Sequence, residues 1–233
     1  MQETIYHQGQ YLKNNPSWHE EDASWKAKNI FHIIKNNNLN PISIAEIGCG
    51  SGEILSCLSQ SFDKTEFSGY EISPQAFEIC HKKQKPRLNF HLEDLLKSES
   101  KIFDLLLCID VFEHIEDYIG FLKKLKAKSQ YFVFHIPLDM SVLSVMRTQP
   151  ILKARSKVGH LHYFSKETAL CTLEDCGYKV IDKFYTAGAL ELKSKSLKTS
   201  LAKIPRYLFH KVNSDFSVSF LGGYSLMVLA QAN

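Results

Sequence analysis

The chain has 233 residues, 44% hydrophobic and 23% charged, with a formal net charge of +3. These values exclude a disordered or fibrous chain, and the charge alone is too small to mark a nucleic-acid binder. No run of 18 apolar residues is present, so no membrane-spanning helix is expected, and the first residues lack the basic-then-apolar pattern of a secretory signal. The six cysteines (Cys49, Cys57, Cys80, Cys108, Cys171, Cys176) form no Cys-x-x-Cys pair and sit mostly in apolar stretches. That usage points to a reduced, cytoplasmic protein with buried thiols rather than a disulfide framework or zinc site.

In chain order, Ala23, Ala27, Ile30, Phe31 and Ile34 recur at helical spacing and predict a helix over Ala23–Ile34, broken at Asn36–Pro41. Ile42–Ile47 is predicted as a strand, Gly48–Gly52 as a tight loop, and a helix follows to about Gln60. Glu66–Tyr70 is a second strand. Ser73 as N-cap with Pro74 at the first helical position opens the next helix. Leu88–His91 is a brief third strand. Phe103–Ile109 reads as an apolar strand of the kind covered on both faces of a parallel sheet. A helix near Tyr118–Lys126 precedes a fifth strand, Tyr131–Ile136.

Residues 137–164 read as a long loop or helical insertion. Ser165 caps a helix to about Cys176, ended by Gly177. Tyr178–Tyr185 is a sixth strand. Leu197, Leu201, Ile204 and Leu208 share one helical face, read as core-facing rather than as a membrane anchor, and Tyr224–Ala230 is the last strand. Strands alternating with helices imply βαβ units and an α/β, doubly wound sheet. The chain reads as one domain: an N-terminal helical lid over 1–40, a cofactor-binding half over 41–136, and a substrate-side half over 137–233 with insertions near 137–164 and 186–222.

Charge is unevenly spread. Residues 141–160 carry Arg147, Lys153, Arg155 and Lys157 with no acid, and residues 192–211 carry Lys193, Lys195, Lys198, Lys203, Arg206 and Lys211 with none. These ten cations exceed the net charge, so two basic segments are joined to an acidic remainder. Solvated surface is the plain reading of such runs. Contact with an anionic substrate, such as a phosphate, a nucleotide-linked sugar or a lipid head group, is the sharper one.

Glu46-Ile47-Gly48-Cys49-Gly50-Ser51-Gly52 joins the first strand to a helix. Glycines let the backbone turn sharply and approach a ligand closely. No lysine follows, as a nucleoside-triphosphate loop needs. The position where a dinucleotide loop needs its third glycine is Glu53, an acid that would repel a pyrophosphate. Glu46, before the first glycine, suits a cationic ligand. Glu71, after the second strand, is placed to accept ribose hydroxyls. Glu93-Asp94-Leu95 and Asp110-Val111-Phe112-Glu113-His114-Ile115 put further acids and a histidine at the carboxyl ends of the third and fourth strands, where open α/β sheets bind ligands.

This order of motifs resembles the class I S-adenosylmethionine-dependent methyltransferases of the small-molecule type, over about residues 20–185. The resemblance implies S-adenosylmethionine as cofactor, S-adenosylhomocysteine as product, and a seven-stranded, mostly parallel Rossmann-like sheet with the last strand antiparallel. It assigns Glu46, Gly48, Cys49, Gly50 and Gly52 to the first cofactor motif and Glu71 with Ile72 to the ribose. Asp94 and Leu95 go to the adenine, and Asp110, Val111 and His114 to the segment after strand four. Gly159–Ser165, the following helix, Gly177 and a strand resemble the common C-terminal half. The expected reaction is methyl transfer to oxygen or nitrogen of a small acceptor, an anionic one on the sharper reading of the basic segments; nucleic acid is not expected as a partner. RNA or protein methylation is the enzymatic alternative, though the chain lacks the Asn/Asp-Pro-Pro-Tyr/Phe motif. A non-catalytic binding subunit of the same fold is the alternative from another class. An NAD-dependent reductase is disfavoured by Glu53.

Methyl transfer owes much of its rate to positioning and needs a base only where the nucleophile must lose a proton. His114, His135, Asp139, His160 and His162 are the candidates, His160 first and His135, at the end of the fifth strand, second. In an extended stretch His160 and His162 share a face. Tyr11, Trp18 and His162 are expected to wall the substrate, with Arg147 and Arg155 meeting its negative charge. No cluster shows clear metal-ligand spacing, and no metal is expected.

Overall fold

Seven strands form one sheet whose apolar residues alternate onto two covered faces. The computed structural model describes residues 18, 20–98, 101–192 and 203–233, so Tyr11, Leu197 and Leu201 lie outside the described residues. Helix α1 (Glu20–Asn36) opens on Glu20, Glu21 and Asp22, which suit the positive end of its dipole, and buries Ala23, Lys26, Ala27, Ile30, Ile33 and Ile34. The cofactor half follows as β1 (Ser43–Ile47), α2 (Glu53–Leu58), β2 (Glu66–Glu71), α3 (Pro74–Cys80), β3 (Leu88–Leu92), β4 (Phe103–Ile109), α4 (Tyr118–Leu125) and β5 (Ser129–Leu138). The remainder comprises α5 (Val142–Arg147), α6 (Gln149–Lys157), α7 (Lys166–Asp175), β6 (Tyr178–Thr186), α8 (Gly188–Glu191), α9 (Lys203–Val212), α10 (Ser214–Leu221) and β7 (Tyr224–Ala232).

The strand order is β3-β2-β1-β4-β5-β7-β6, parallel throughout except β7, which is antiparallel to β5 and β6. In β4, Leu105, Leu107 and Ile109 pack with Ile30, Ile33 and Ile34 of α1 and Leu55 and Leu58 of α2. Leu106 and Cys108 point the other way, into a core with Phe121, Leu122 and Leu125 of α4 and Leu173 of α7. Each fully buried aliphatic side chain stabilises the fold by about 1.5–3 kcal/mol. Between β1 and β4 the strand order reverses, which opens a crevice at their carboxyl ends.

Local signals account for most boundaries. The Ser73 side chain accepts from the Ala76 amide and Pro74 starts α3. Ser165 and Thr168 form a capping box at α7, and Gly177 follows it at φ +85°. All six cysteines are free; only Cys171 is exposed. No helix among the described residues is long and apolar enough to cross a membrane.

Of the two readings of residues 137–164, the helical insertion is the one found: α5 has a Ser141/Ser144 capping box and α6 buries no residue. Two expectations are corrected. β5 extends to Leu138 because β7 pairs with it through Leu138↔Tyr224, so His135 sits inside a strand rather than at its end. Of the apolar stripe, Leu208 does not face the core: it is 59% exposed, with Tyr207, Phe209 and Val212 also exposed. Helix α9 packs on α8 and α10, and its His210 ring stacks on Tyr224 of β7 at 5.0 Å and stands edge-on to Tyr185 of β6.

The buried Lys26 fastens α1 to the crevice. Its Nζ lies 2.8 Å from Asp110 Oδ2 and 3.2 Å from Asp22 Oδ2. Burial disfavours the ammonium, and the two carboxylates outweigh it, holding the lysine well above its ordinary pKa. Removing one partner of such a pair strands the other charge. Lys26→Met is expected to destabilise the protein by about 3 kcal/mol in urea unfolding; a loss under about 1 kcal/mol would show that the pair contributes little.

Candidate active site

The chain leaves β1 through Gly48, Gly50 and Gly52, all with positive φ. At Gly52 conformation and space both demand glycine: φ is +73°, and a Cβ would lie 2.5 Å from the Phe90 ring and 2.7 Å from Cys80 Cβ. That close approach sets the N-terminus of α2 directly against β3. The Cys49 amide donates to the Tyr70 carbonyl at 3.1 Å, and its thiol is buried in the core.

Glu71 holds the loop from below. Its Oε2 accepts from the Gly50 amide and its Oε1 from the Ile72 and Ser73 amides, each at 2.8 Å. Burial raises its pKa and the three amides pull it back. Three of a carboxylate's roughly four acceptor positions are therefore filled, leaving one on Oε2 for a ribose hydroxyl rather than two. Glu46 is 2% exposed, and its Oε2 has no hydrogen-bond partner among the described residues. Burial pushes its carboxyl well above the usual range, with Lys26 opposing.

Trp18, expected on the substrate wall, covers the glycine loop instead: its Cε3 is 3.8 Å from where a Gly50 Cβ would stand. Asp94 caps the short 3-10 turn Leu95–Lys97, with Oδ1 accepting from the Leu96 amide at 3.0 Å. Leu95 is buried and Ile72 is 45% exposed. Val111 Cγ2 is 3.0 Å from the Cβ position of Gly48, so the segment after β4 abuts the loop.

Asp110, read from sequence as a cofactor ligand, is committed to the protein. Oδ2 pairs with Lys26, and Oδ1 lies 2.6 Å from His135 Nδ1. Burial opposes its ionisation, but His135 and Lys26 overcome this and hold the carboxyl far below its ordinary pKa. Its φ is +54°, a left-handed conformation that turns the chain sharply out of β4. His135 is 2% exposed, its Nε2 lies 2.8 Å from Thr186 Oγ1, and Trp25 stands edge-on to its ring. With both ring nitrogens engaged, His135 serves the architecture of the site and has no nitrogen left to act as a base.

The 3-10 turn Phe112–His114 brings a second cluster alongside. Asp139, just past β5, has Oδ2 2.6 Å from His160 Nδ1, and the His160 ring lies 4.9 Å from that of His114. One donor atom each from Glu113, His114 and His160 falls within 4.8 Å of the others, a grouping in space that the sequence spacing does not show. The Leu161 and His162 amides both donate to the Glu113 carbonyl, at 2.8 and 3.1 Å. His162 faces other partners than His160: its Nε2 is 2.9 Å from the Ile115 carbonyl and its ring packs on Tyr118.

Arg147 and Arg155 are exposed and line, with Lys153, an open groove of about 1130 Å³ along α5 and α6. None of the cluster or glycine-loop residues lines that groove. The site is therefore placed by the carboxyl edge of the sheet, and the groove is a separate feature of α5 and α6. Sequence reasoning missed Lys26, although its spacing with Ala23, Ala27 and Ile30 put it on the buried helix face. Thr186 carried no signal, and the meeting of Glu113 with His160 joins segments far apart in the chain.

The profile of a methyltransferase domain family matches residues 18–183. A ubiquinone biosynthesis O-methyltransferase of Rickettsia akari is 27% identical over 114 residues, covering 48% of this chain and 43% of the relative. A tRNA U34 carboxymethyltransferase of Campylobacter jejuni is 31% identical over 114 residues, covering 46% and 38%. The chain thus spans less than half the length of these curated relatives. The magnesium protoporphyrin IX methyltransferase of Synechocystis, solved with S-adenosylhomocysteine bound, superposes with a TM-score of 0.61 at 14% identity, covering 90% of this chain and 83% of that one. With a family match across most of its length, a sheet of that order and a glycine loop anchored by Glu71, the chain belongs to the class I S-adenosylmethionine-dependent methyltransferases.

Proposed function

We propose that this protein transfers a methyl group from S-adenosylmethionine to an oxygen or nitrogen of a small-molecule acceptor. The observation that carries this reading is adjacency: Val111 touches the glycine loop, and Glu113 and His114, two and three residues on, join His160 and Asp139 in one polar cluster. Cofactor and acceptor groups thereby adjoin at the carboxyl end of β4.

When bound, S-adenosylmethionine supplies a methyl carbon on a positively charged sulfur. Glu46, buried with an unpartnered oxygen, fits a cationic ligand, since burying an uncompensated polar group is costly. Glu71 offers its remaining acceptor position to the ribose, and Asp94 with the Leu95 backbone bounds the adenine end. Trp18 covers the loop and excludes water. On the acceptor side, Asp139 fixes the ring of His160, and the cluster prepares the acceptor's nucleophilic atom for loss of its proton. Holding acceptor and methyl donor in line accounts for most of the acceleration such a site needs.

Arg147, Lys153 and Arg155 on the neighbouring groove favour a phosphorylated or nucleotide-linked sugar, or another anionic metabolite. RNA is the competing acceptor class, because one relative is named for action on tRNA. A gel shift with bulk tRNA separates the two: stable retardation would favour RNA.

Calorimetric titration tests the cofactor. S-adenosylmethionine and S-adenosylhomocysteine are expected to bind and NADH not to, with Glu71→Ala weakening binding by about tenfold or more through loss of its charge-assisted bonds to the loop. Failure of both to bind the folded protein would refute the reading. The pH dependence of the same titration reads Glu46. Its carboxyl titrates high in the free protein, and a neighbouring cation favours the carboxylate, so the complex holds fewer protons. Affinity should therefore rise with pH until the free carboxyl is ionised, and Glu46→Gln should flatten that rise. Finally, Arg147→Ala with Arg155→Ala should raise KM for an anionic acceptor several-fold with kcat unchanged; an equal KM would remove the groove from acceptor binding.

A further inference from the structure

We infer that Glu113, His114 and His160 form a divalent-cation site that binds the hydroxyl of the acceptor. This rests on the methyltransferase reading and gives the acceptor cluster its chemistry.

The donor atoms come from two segments that the fold pins together. The amides of Leu161 and His162 both bond the Glu113 carbonyl, so the histidine segment is fastened to the residue that carries the carboxylate. One atom from each of the three side chains lies within 4.8 Å of the others. Ligands about 2.1 Å from a shared cation stand about 3–4 Å apart, so small side-chain rotations close the site.

Glu113 supplies the second observation. It is fully buried, and neither of its carboxylate oxygens has a hydrogen-bond partner among the described residues. An ionised carboxylate there has the His114 Nε2 4.0 Å from Oε1, a counter-charge only when that imidazole is protonated, and a protonated carboxyl leaves its O–H without an acceptor; both are costly. A cation removes the conflict.

His160 is set up as a ligand. Its Nδ1 is held by Asp139 at 2.6 Å, which leaves Nε2 for the cation. A carboxylate that orients a histidine through its far nitrogen is the usual support for a metal-bound imidazole. Two imidazoles and one carboxylate suit Mn²⁺, Fe²⁺, Co²⁺ or Zn²⁺, and three protein ligands leave positions open for substrate. A hydroxyl bound there loses its proton more readily, as metal-bound water does. The proton passes to solvent, the oxygen forms its bond to the methyl carbon, and the C–S bond breaks with its electron pair kept by sulfur. The acceptor is thereby narrowed to hydroxyl compounds, most favourably vicinal diols or catechol-like groups that chelate through two oxygens.

The test uses the whole chain stripped with EDTA and titrated with MnCl₂, followed by calorimetry and by the electron paramagnetic resonance of bound Mn²⁺. One Mn²⁺ per chain is expected. Glu113→Gln should weaken it at least tenfold, and Asp139→Asn, acting through His160, by about 10–100-fold. His160→Gln is the second ligand variant, read in the same way should Glu113→Gln not fold. Absence of Mn²⁺ binding by the folded wild type, or unchanged binding in the folded ligand variants, overturns the inference. S-adenosylmethionine titrated into the stripped protein keeps the two readings apart. Cofactor binding without Mn²⁺ binding sinks only the cation site, whereas Mn²⁺ binding without cofactor binding sinks the methyltransferase reading instead.

Discussion

The crevice of this protein is governed by an excess of negative charge that the fold only partly answers. Glu46, Glu71 and Glu113 are buried at the carboxyl ends of β1, β2 and β4, with Asp110 beside them, and Lys26 is the buried cation reaching into the group. The lysine is spent on Asp110, which it shares with His135. That network fixes α1 to the sheet, fixes the exit of β4, and stabilises Asp110 in its left-handed conformation. Everything downstream in the site takes its position from that exit: Val111 against the glycine loop, then Glu113 and His114 facing His160.

The remaining carboxylates are answered in different ways. Glu71 is satisfied by three amides and becomes a structural clamp with one acceptor position to spare. Glu46 and Glu113 keep unpartnered oxygens. One lies at the glycine loop, the other in a cluster of imidazoles. Both positions favour a positively charged partner, since a buried carboxylate left unanswered is costly.

Most of the scaffold was legible in the chain. The apolar stretch of β4, the Ser73-Pro74 and Ser165 helix starts and Gly177 are local signals, each tied to a hydrogen bond or a backbone conformation. The glycine loop and the acids after β2, β3 and β4 were legible as well, because strand ends converge on the crevice in any doubly wound sheet. What failed was pairing. Nothing local says that Asp110 spends both oxygens on Lys26 and His135, or that Asp139 orients His160. The end of β5 was misplaced for the same reason, since its last residues are held by a strand some 90 residues on. Leu208 belongs to a stripe with the period of a core helix, yet its side chain is exposed, while His210 of the same helix stacks on Tyr224 of β7.

Helix α6 has no buried residue, although it leads directly into the pinned segment at His160. Segments with few buried contacts open at little cost, while those tied into the core open only with global unfolding. The arm bearing Arg155 is therefore less deeply tied into the core than the floor bearing His160, only a few residues on, and a change of its exposed side chains costs the packing beneath little. Such a division lets acceptor preference drift while the reacting groups stay fixed.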